Sequence, residues 1–336
     1  MLEEALSSEE SVRRQLDLLE PGLITLGERL RHAAPSVVLT VARGSSDHAA
    51  SYFAYLTTQM TGIPVASLPM SVATLHASPL KVEGQPAFAF SQSGQSPDLV
   101  GTMHKLRDHG ALSIAVVNAQ GSPLEQACEY LLPLGAGPEL SVAATKSFIC
   151  TLSASARLLA HWQQDKPLLD AGRTLPERLL AATQQEWSAA VNALRSCERL
   201  MVIGRGLGFA VAQEAALKFK ETSAIQAEAF SSAEVRHGPM ALVDDQYPLL
   251  IFALRGPEQA GLLALAADMR QRGAKVLLAA PDDIADRDLT LSCADHPALD
   301  PLLAIQSFYV MAAALAQARG LDPDQPRHLS KVTRTR

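Results

Sequence analysis

The chain has 336 residues, room for two domains of roughly 150 residues each, and its 48% hydrophobic content is ample for buried cores. Charged residues make up 19% and the net charge is −6, with no basic block, so the charge balance offers nothing to nucleic acid. The four cysteines (Cys128, Cys150, Cys197 and Cys293) form neither a CxxC pair nor a metal-ligand spacing, and read as buried thiols of a reducing compartment.

The chain opens on Met1-Leu2-Glu3-Glu4, acidic and without the apolar core of a signal peptide. No apolar run is expected to reach the ~20 residues of a membrane span, so a soluble cytoplasmic protein is expected. Residues 1–34 carry helical spacing at Val12, Leu16, Leu18 and Leu19, broken near Pro21-Gly22. Val37–Ala42 then reads as a buried strand entering a turn at Gly44, followed by Ser45 and Ser46. A second strand, Phe88-Ala89-Phe90, stops at Ser91-Gln92-Ser93-Gly94-Gln95-Ser96, and a helical pattern follows at Leu99, Val100, Met103 and Leu106. Hydroxyls and backbone N–H groups around one glycine at a helix start make a phosphate cradle. The same residues also suit an ordinary strand–turn–helix junction, with Ser96 as N-cap, Pro97 in the first helical position and Asp98 in the first turn.

Another strand is expected over Ile114–Val117, and residues 166–195 lead into the second half of the chain through a helix around Leu175–Leu194. Leu200–Gly204 then repeats the strand and glycine turn of Val37–Gly44. Aligning Arg43 with Arg205 sets an offset of 162 residues. It carries Phe88-Ala89-Phe90 onto the strand Leu250-Ile251-Phe252, and Gly94 onto Gly256. One residue further out of step, Leu106–Ala111 meets Met269–Ala274, and a strand comes next in both (Ile114–Val117, Val276–Ala279). The chain therefore reads as a tandem duplication, with copies over 35–165 and 196–322, an N-terminal helical segment 1–34 and an irregular tail 323–336. The strands are continuously apolar, which argues for an α/β fold of parallel sheets covered on both faces by helices, a flavodoxin-like or Rossmann-like sandwich in each copy. Ligands of such sheets bind beyond the carboxyl ends of the strands, so Ser45, Ser46 and the Ser91–Ser96 loop should share one rim. In the second copy the loop reads Ala253-Leu254-Arg255-Gly256. Its hydroxyls are gone, which favours a real phosphate loop in the first copy and one phosphate site per chain.

The second copy carries the chemistry-bearing side chains. Glu214, Lys218 and Glu221 stand at i, i+4 and i+7 on one helix face. Pairing with Lys218 favours the ionised carboxylate that a base requires. Such a triplet is commonly a solvated charged face, but Ala215, Ala216, Leu217 and Ala224 make this helix largely apolar. His237, in Arg236-His237-Gly238-Pro239, sits in a turn after a helix, where a histidine is ordinarily structural or exposed. Lys331 lies in the tail, where fraying is the default, although Pro326, Leu329 and Val332 suggest docking.

These residues resemble the sugar isomerase (SIS) family, in particular the isomerase half of glucosamine-6-phosphate synthase and its stand-alone deaminase relatives. The resemblance rests on Arg43–Ser46, Ser91–Ser96, Glu139–Lys146, Glu214–Glu221, Glu234–Pro239 and Pro326–Thr333, in the family's order. It implies a phosphate site at Ser91, Gln92, Ser93 and Ser96, and sugar contacts from Ser45, Ser46 and Val142. Ala144 departs from the synthase pattern, which has serine there. The resemblance also implies that Glu221 moves a proton between C1 and C2 of the open-chain sugar, with Lys218 orienting it. His237 would open the sugar ring, reaching the site from a neighbouring subunit, and Lys331 would form a Schiff base with the keto sugar.

The glutamine-hydrolysing domain of the synthase is not expected ahead of a first copy that starts near residue 35. The activity implied is then a glucosamine-6-phosphate deaminase: a homodimer acting on hexosamine and hexose phosphates, with no cofactor and no metal, nucleic-acid or membrane partner. Galactosamine-6-phosphate deamination, fructosamine-6-phosphate deglycation and plain aldose–ketose isomerisation are the alternatives within the family. A non-catalytic sugar-phosphate sensor is the alternative outside catalysis, but the first 34 residues are short and acidic for the DNA-binding helices such sensors carry.

Overall fold

The structure, a computed structural model, describes residues 1–76 and 78–331. It divides into two compact units. One comprises Glu10–Glu139 and Lys146–Arg173, with Ser330 and Lys331; the other comprises Met1–Glu9, Leu140–Thr145 and Thr174–Leu329. Two helices open the chain, α1 (Leu2–Leu6) and α2 (Ser8–Ala33). The expected break at Pro21-Gly22 does not occur. A proline inside a helix removes one backbone hydrogen bond, but Val12, Leu19, Leu23, Leu26 and Leu30 are all buried along one stripe, and this packing carries the helix through.

The first unit holds a five-stranded sheet of order β2-β1-β3-β4-β5, parallel throughout. The strands are β1 (Val38–Val41), β2 (Val65–Ser67), β3 (Pro86–Ser91), β4 (Leu112–Val117) and β5 (Tyr130–Pro133). Helices α3 (Ser45–Thr61), α4 (Met70–Thr74), α5 (Pro97–Asp108), α6 (Pro123–Ala127) and α7 (Lys146–Gln163) connect and cover it. β3 and β4 are buried on both faces, which is why they read as unbroken apolar runs. Phe53 of α3 packs 4.7 and 5.4 Å, centroid to centroid, from Phe88 and Phe90 of β3. Each ring taken fully from water contributes about 1.5–3 kcal/mol. Leu39 pairs with Ala87 and Val41 with Ala89, so the carboxyl ends of β1 and β3 lie side by side. In this strand order that junction is where the connections diverge, the ligand-binding crevice of doubly wound sheets.

Helices α8 (Lys166–Ala182) and α9 (Ser188–Leu194) come next, two elements in place of the one expected over Leu175–Leu194. The chain leaves the helix at residue 183 and buries Trp187, whose indole N–H donates to the Thr290 carbonyl at 3.0 Å. The second unit then builds the same sheet again: β6 (Arg199–Gly204), β7 (Gln226–Ser231), β8 (Pro248–Phe252), β9 (Lys275–Pro281) and β10 (Leu289–Leu291), in the order β10-β9-β8-β6-β7, all parallel. Read from the other edge this is the order of the first sheet, strand for strand. Its helices are α10 (Leu207–Ser223), α11 (Gln259–Gln271) and α12 (Asp300–Ala318). The duplication extends to the backbone. Gly44 before α3 has φ 55° and ψ −133°, and Gly206 before α10 has φ 56° and ψ −132°, a conformation open to glycine at little cost.

One exclusion drawn from the sequence is corrected. Pro297–Ala318 has a mean hydropathy of 1.5 and is long and apolar enough to cross a membrane, but 89% of its most apolar window is buried within the protein. A helix that is hydrophobic all round also suits the centre of a globular core. α12 is that helix, packed against α10, α9 and α1.

Candidate active site

The Ser91–Ser96 loop leaves β3 and enters α5 with Ser96 at the N-cap and Pro97 and Asp98 in the first turn. Its shape is held from within. The Gly94 N–H donates to Ser91 Oγ at 2.9 Å, and the Gln95 N–H to Ser93 Oγ at 3.3 Å. Gly94 has φ +63°, and a Cβ there would sit 2.3 Å from Ser122 Oγ and 2.6 Å from Ser122 Cβ. Only glycine fits, for conformation and for space. Ser91, Gln92, Ser93 and Ser96 are each half-buried, as are Ser45 and Ser46 in the first turn of α3. All six occupy the crevice at the carboxyl ends of β1 and β3. Arg43, just before Gly44, donates from Nε and a terminal nitrogen (3.3 and 3.1 Å) to Oδ2 of the buried Asp98, tying the start of α3 to the start of α5.

The equivalent crevice of the second sheet is occupied by the protein's own side chains. The carboxylate of Glu258, which stands where the first copy has Ser96, lies 2.6 Å from where a Cβ on Gly206 would be, against the start of α10. Arg255, in the position of Ser93, makes two 2.7 Å bonds to Asp300 and one of 2.6 Å to the Ala294 carbonyl. A carboxylate at the helix start replaces an incoming anion there.

Glu221 lies elsewhere in the second unit. α10 is the crossover between the parallel strands β6 and β7, so its last turn lies at the amino-terminal edge of the sheet. Glu214 and Lys218 are fully buried and Glu221 is 17% exposed. Lys218 Nζ lies 2.5 Å from Glu221 Oε2 and 3.2 Å from Glu214 Oε1. The Tyr309 hydroxyl, from α12, donates to Glu214 Oε1 at 3.1 Å. Burial alone would push the Lys218 ammonium down, but the two carboxylates outweigh it and hold the group above its ordinary value. The sequence left open whether this triplet was a solvated face; it is a buried charge cluster with one carboxylate emerging. Glu221 emerges into a cavity of about 600 Å³, walled on the other side by the chain after α12, including Asp322, Gln325 and Arg327.

The remaining expected residues fall in different places. Val142 belongs to the same unit as Glu221, and its N–H donates to the Asp324 carbonyl at 3.4 Å, in the stretch that walls the cavity. His237 ends a single 3-10 turn (Glu234–His237) that comes after β7 rather than a helix; it is exposed and does not line the cavity. Lys331 belongs to the unit of the Ser91–Ser96 loop, where its ammonium lies 3.3 Å from the buried Glu139. Glu139 also accepts from the Ser147 N–H (3.1 Å) and hydroxyl (2.6 Å). Val332, expected to help dock the tail, lies outside the described residues.

Sequence reasoning placed Glu214 on the right helix face without a role, carried Glu139 and Arg327 inside matched segments without a role, and missed Tyr309, Asp322 and Gln325. The one signal for Tyr309 was a single phenol in a helix made mostly of apolar residues. Among the described residues no group of three or more His, Cys, Asp or Glu side chains is placed to hold a metal ion.

The SIS domain family model matches residues 33–161 and 193–315. The glutamine–fructose-6-phosphate aminotransferase (isomerizing) of Thermus thermophilus is 30% identical over 331 residues, covering 93% of this chain and 54% of that protein. The chain thus spans about half the length of the curated relatives it matches. A crystal structure from Silicibacter pomeroyi, provisionally named a phosphosugar isomerase, is 41% identical with a TM-score of 0.92, covering 96% of this chain and 99% of that one. The glucosamine-6-phosphate deaminase of Thermotoga maritima shares the fold at a TM-score of 0.77 and 21% identity, with 99% of both chains covered. The chain belongs to the SIS domain family, with two tandem SIS domains.

Proposed function

We propose that this SIS-domain protein is a glucosamine-6-phosphate deaminase, converting glucosamine 6-phosphate and water to fructose 6-phosphate and ammonia. The observation that carries the reading is the buried Glu214–Lys218–Glu221 cluster, which presents a single carboxylate to a cavity of sugar size. A base for a carbon acid needs a carboxylate within ~3 Å of the proton it takes, shielded from bulk water. In this mechanism the Ser91–Ser96 loop, with Ser45 and Ser46, holds the phosphorylated end of the sugar. His237 moves the proton that opens the ring. Glu221 removes the proton from C2 of the open-chain aldehyde and returns it to C1, while the Lys218 ammonium offsets the negative charge developing on the enolate. C2 is left as an imine. Water adds to it, the C–N bond breaks, and ammonia leaves with the nitrogen. In this reading Lys331 holds the keto sugar as a Schiff base, and His237 acts across a homodimer.

The experiment is to incubate the pure protein with glucosamine 6-phosphate and quantify both products. Equimolar fructose 6-phosphate and ammonia support the reading. Ammonia from galactosamine 6-phosphate alone, an amino acid released from a fructosamine 6-phosphate, or interconversion of glucose and fructose 6-phosphates without nitrogen release would each replace it with that activity. Binding of these sugars without turnover of any would make the protein a sensor.

A further inference from the structure

Tyr309 contributes a phenol to α12, a helix otherwise built for burial. Its neighbours Phe308, Met311, Ala312 and Ala313 are apolar and at most 2% exposed, and Tyr309 itself is fully buried. A buried phenol takes a partner, and this one takes Glu214, a carboxylate that is also fully buried and also bonded to Lys218. Tyr309 Oη, Glu214 Oε1, Lys218 Nζ and Glu221 Oε2 therefore form one unbroken chain, with links of 3.1, 3.2 and 2.5 Å. It starts in the core of the second unit and ends at the only one of these carboxylates that reaches the cavity. The cluster holds two carboxylates and one ammonium. Glu214 and Glu221 compete for Lys218, and whatever else Glu214 accepts decides how much of that ammonium Glu221 receives. In a low-dielectric interior such links polarise one another, so that a change at one end is felt at the other.

We infer that Tyr309 is a positioning residue of the active site: its hydroxyl satisfies and anchors Glu214, so that Lys218 is shared with Glu221 in the geometry the base needs. Tyr309 does not line the cavity and acts on Glu221 through Glu214. The role rests on the proposed function for its catalytic consequence, but the hydrogen-bond chain itself does not.

The test is a double-mutant cycle of Tyr309→Phe, Glu214→Gln and the pair together, read in two ways. The first needs no substrate: urea unfolding of all four proteins. Each single substitution is expected to raise the unfolding constant about tenfold or more, and the double variant should fall short of the product of the two by at least fivefold, because the second change finds its partner already gone. Effects that simply multiply would overturn the inference whatever the enzyme's substrate. The second is steady-state turnover of glucosamine 6-phosphate. Tyr309→Phe is expected to lower kcat about five- to thirtyfold with KM changed less than twofold, and the double variant to match Glu214→Gln alone. A Tyr309→Phe enzyme that is less stable but keeps kcat within twofold of the parent would reduce Tyr309 to a packing residue and overturn the inference. Coupled unfolding with no turnover in the parent would instead sink the deaminase reading while leaving the chain of bonds standing, and solvent deuterium entering fructose 6-phosphate would then read the kcat effect through proton transfer alone.

Discussion

Replacing Lys218 with methionine should expose the energetics of the buried cluster more sharply than any other single change. Methionine keeps the length and much of the volume of the side chain and deletes only the charge. In the parent, Lys218 is fully buried and stands 3.2 and 2.5 Å from two carboxylates, one of them also fully buried. Removing one partner of a buried ionic cluster costs about 3–5 kcal/mol, because the charge left behind has neither water nor counter-ion. That is a large share of the 5–15 kcal/mol typical of a domain. The penalty should depend on pH, and its sign comes from the same cluster. In the variant, a buried carboxylate with no ammonium favours its protonated form, so its folded-state pKa lies above the unfolded one. Stability from such a group is present below the unfolded pKa and is lost as pH rises through the folded one. The deficit against the parent should therefore be wider near pH ~8 than near pH ~5.5. The parent behaves otherwise: its lysine is held above the ordinary value, so its contribution is complete at neutral pH and is lost only as pH rises above the usual lysine range, ~10.4. Urea unfolding of both proteins at the two pH values measures this. A deficit under ~1 kcal/mol, or one that does not change with pH, would refute the picture of a desolvated ionic cluster.

Three further outcomes are expected. Gly94→Ala should cost about 2–5 kcal/mol, the sum of left-handed strain and the collision with Ser122, and should weaken sugar-phosphate binding. Gly62→Ala, at φ +73° with open space around it, should cost only the ~1–2 kcal/mol of strain, and equal thermal shifts for the two would contradict the role given to Ser122. Glu221→Gln should lower kcat by ~10²–10⁴ while sugar-phosphate binding, measured by calorimetry, stays within a few fold; parental turnover would remove Glu221 as the base. Burial pushes the thiols of Cys128 and Cys150 up to about 12, so at pH ~8 neither should react with a disulfide reagent until the protein unfolds, and more than two of the four cysteines reacting in the native state would count against it.

Both sheets were legible because parallel strands covered on two faces must be apolar at every position, and because each copy begins with the same strand, arginine and glycine. The Gly44 and Gly206 backbones agree to within a degree in both torsions, which is why those glycines marked the repeat so clearly. The loss of hydroxyls in the second loop was also readable, but its counterpart was not: that Glu258 would lie against Gly206 is a matter of rotamer and packing. The i, i+4, i+7 spacing put Glu214, Lys218 and Glu221 on one face without saying whether the face was wet or dry. That depended on α12, some 90 residues later in sequence. The length and apolarity of that same helix went unread in the sequence, although by composition a core helix and a lipid-facing helix look alike. Pro21 misled for a related reason: a local rule for breaking helices yielded to a buried stripe running on both sides of it. The pair of Lys331 with Glu139 joins residues far apart in sequence and left no local trace.

The most direct test of the account is the nitrogen balance with glucosamine 6-phosphate. The protein, with no glutamine and no added cofactor, should release one ammonia for each fructose 6-phosphate formed, and Glu221→Gln should slow both by the same factor. Fructose 6-phosphate without ammonia, or neither product from a folded protein that binds the sugar, would contradict it.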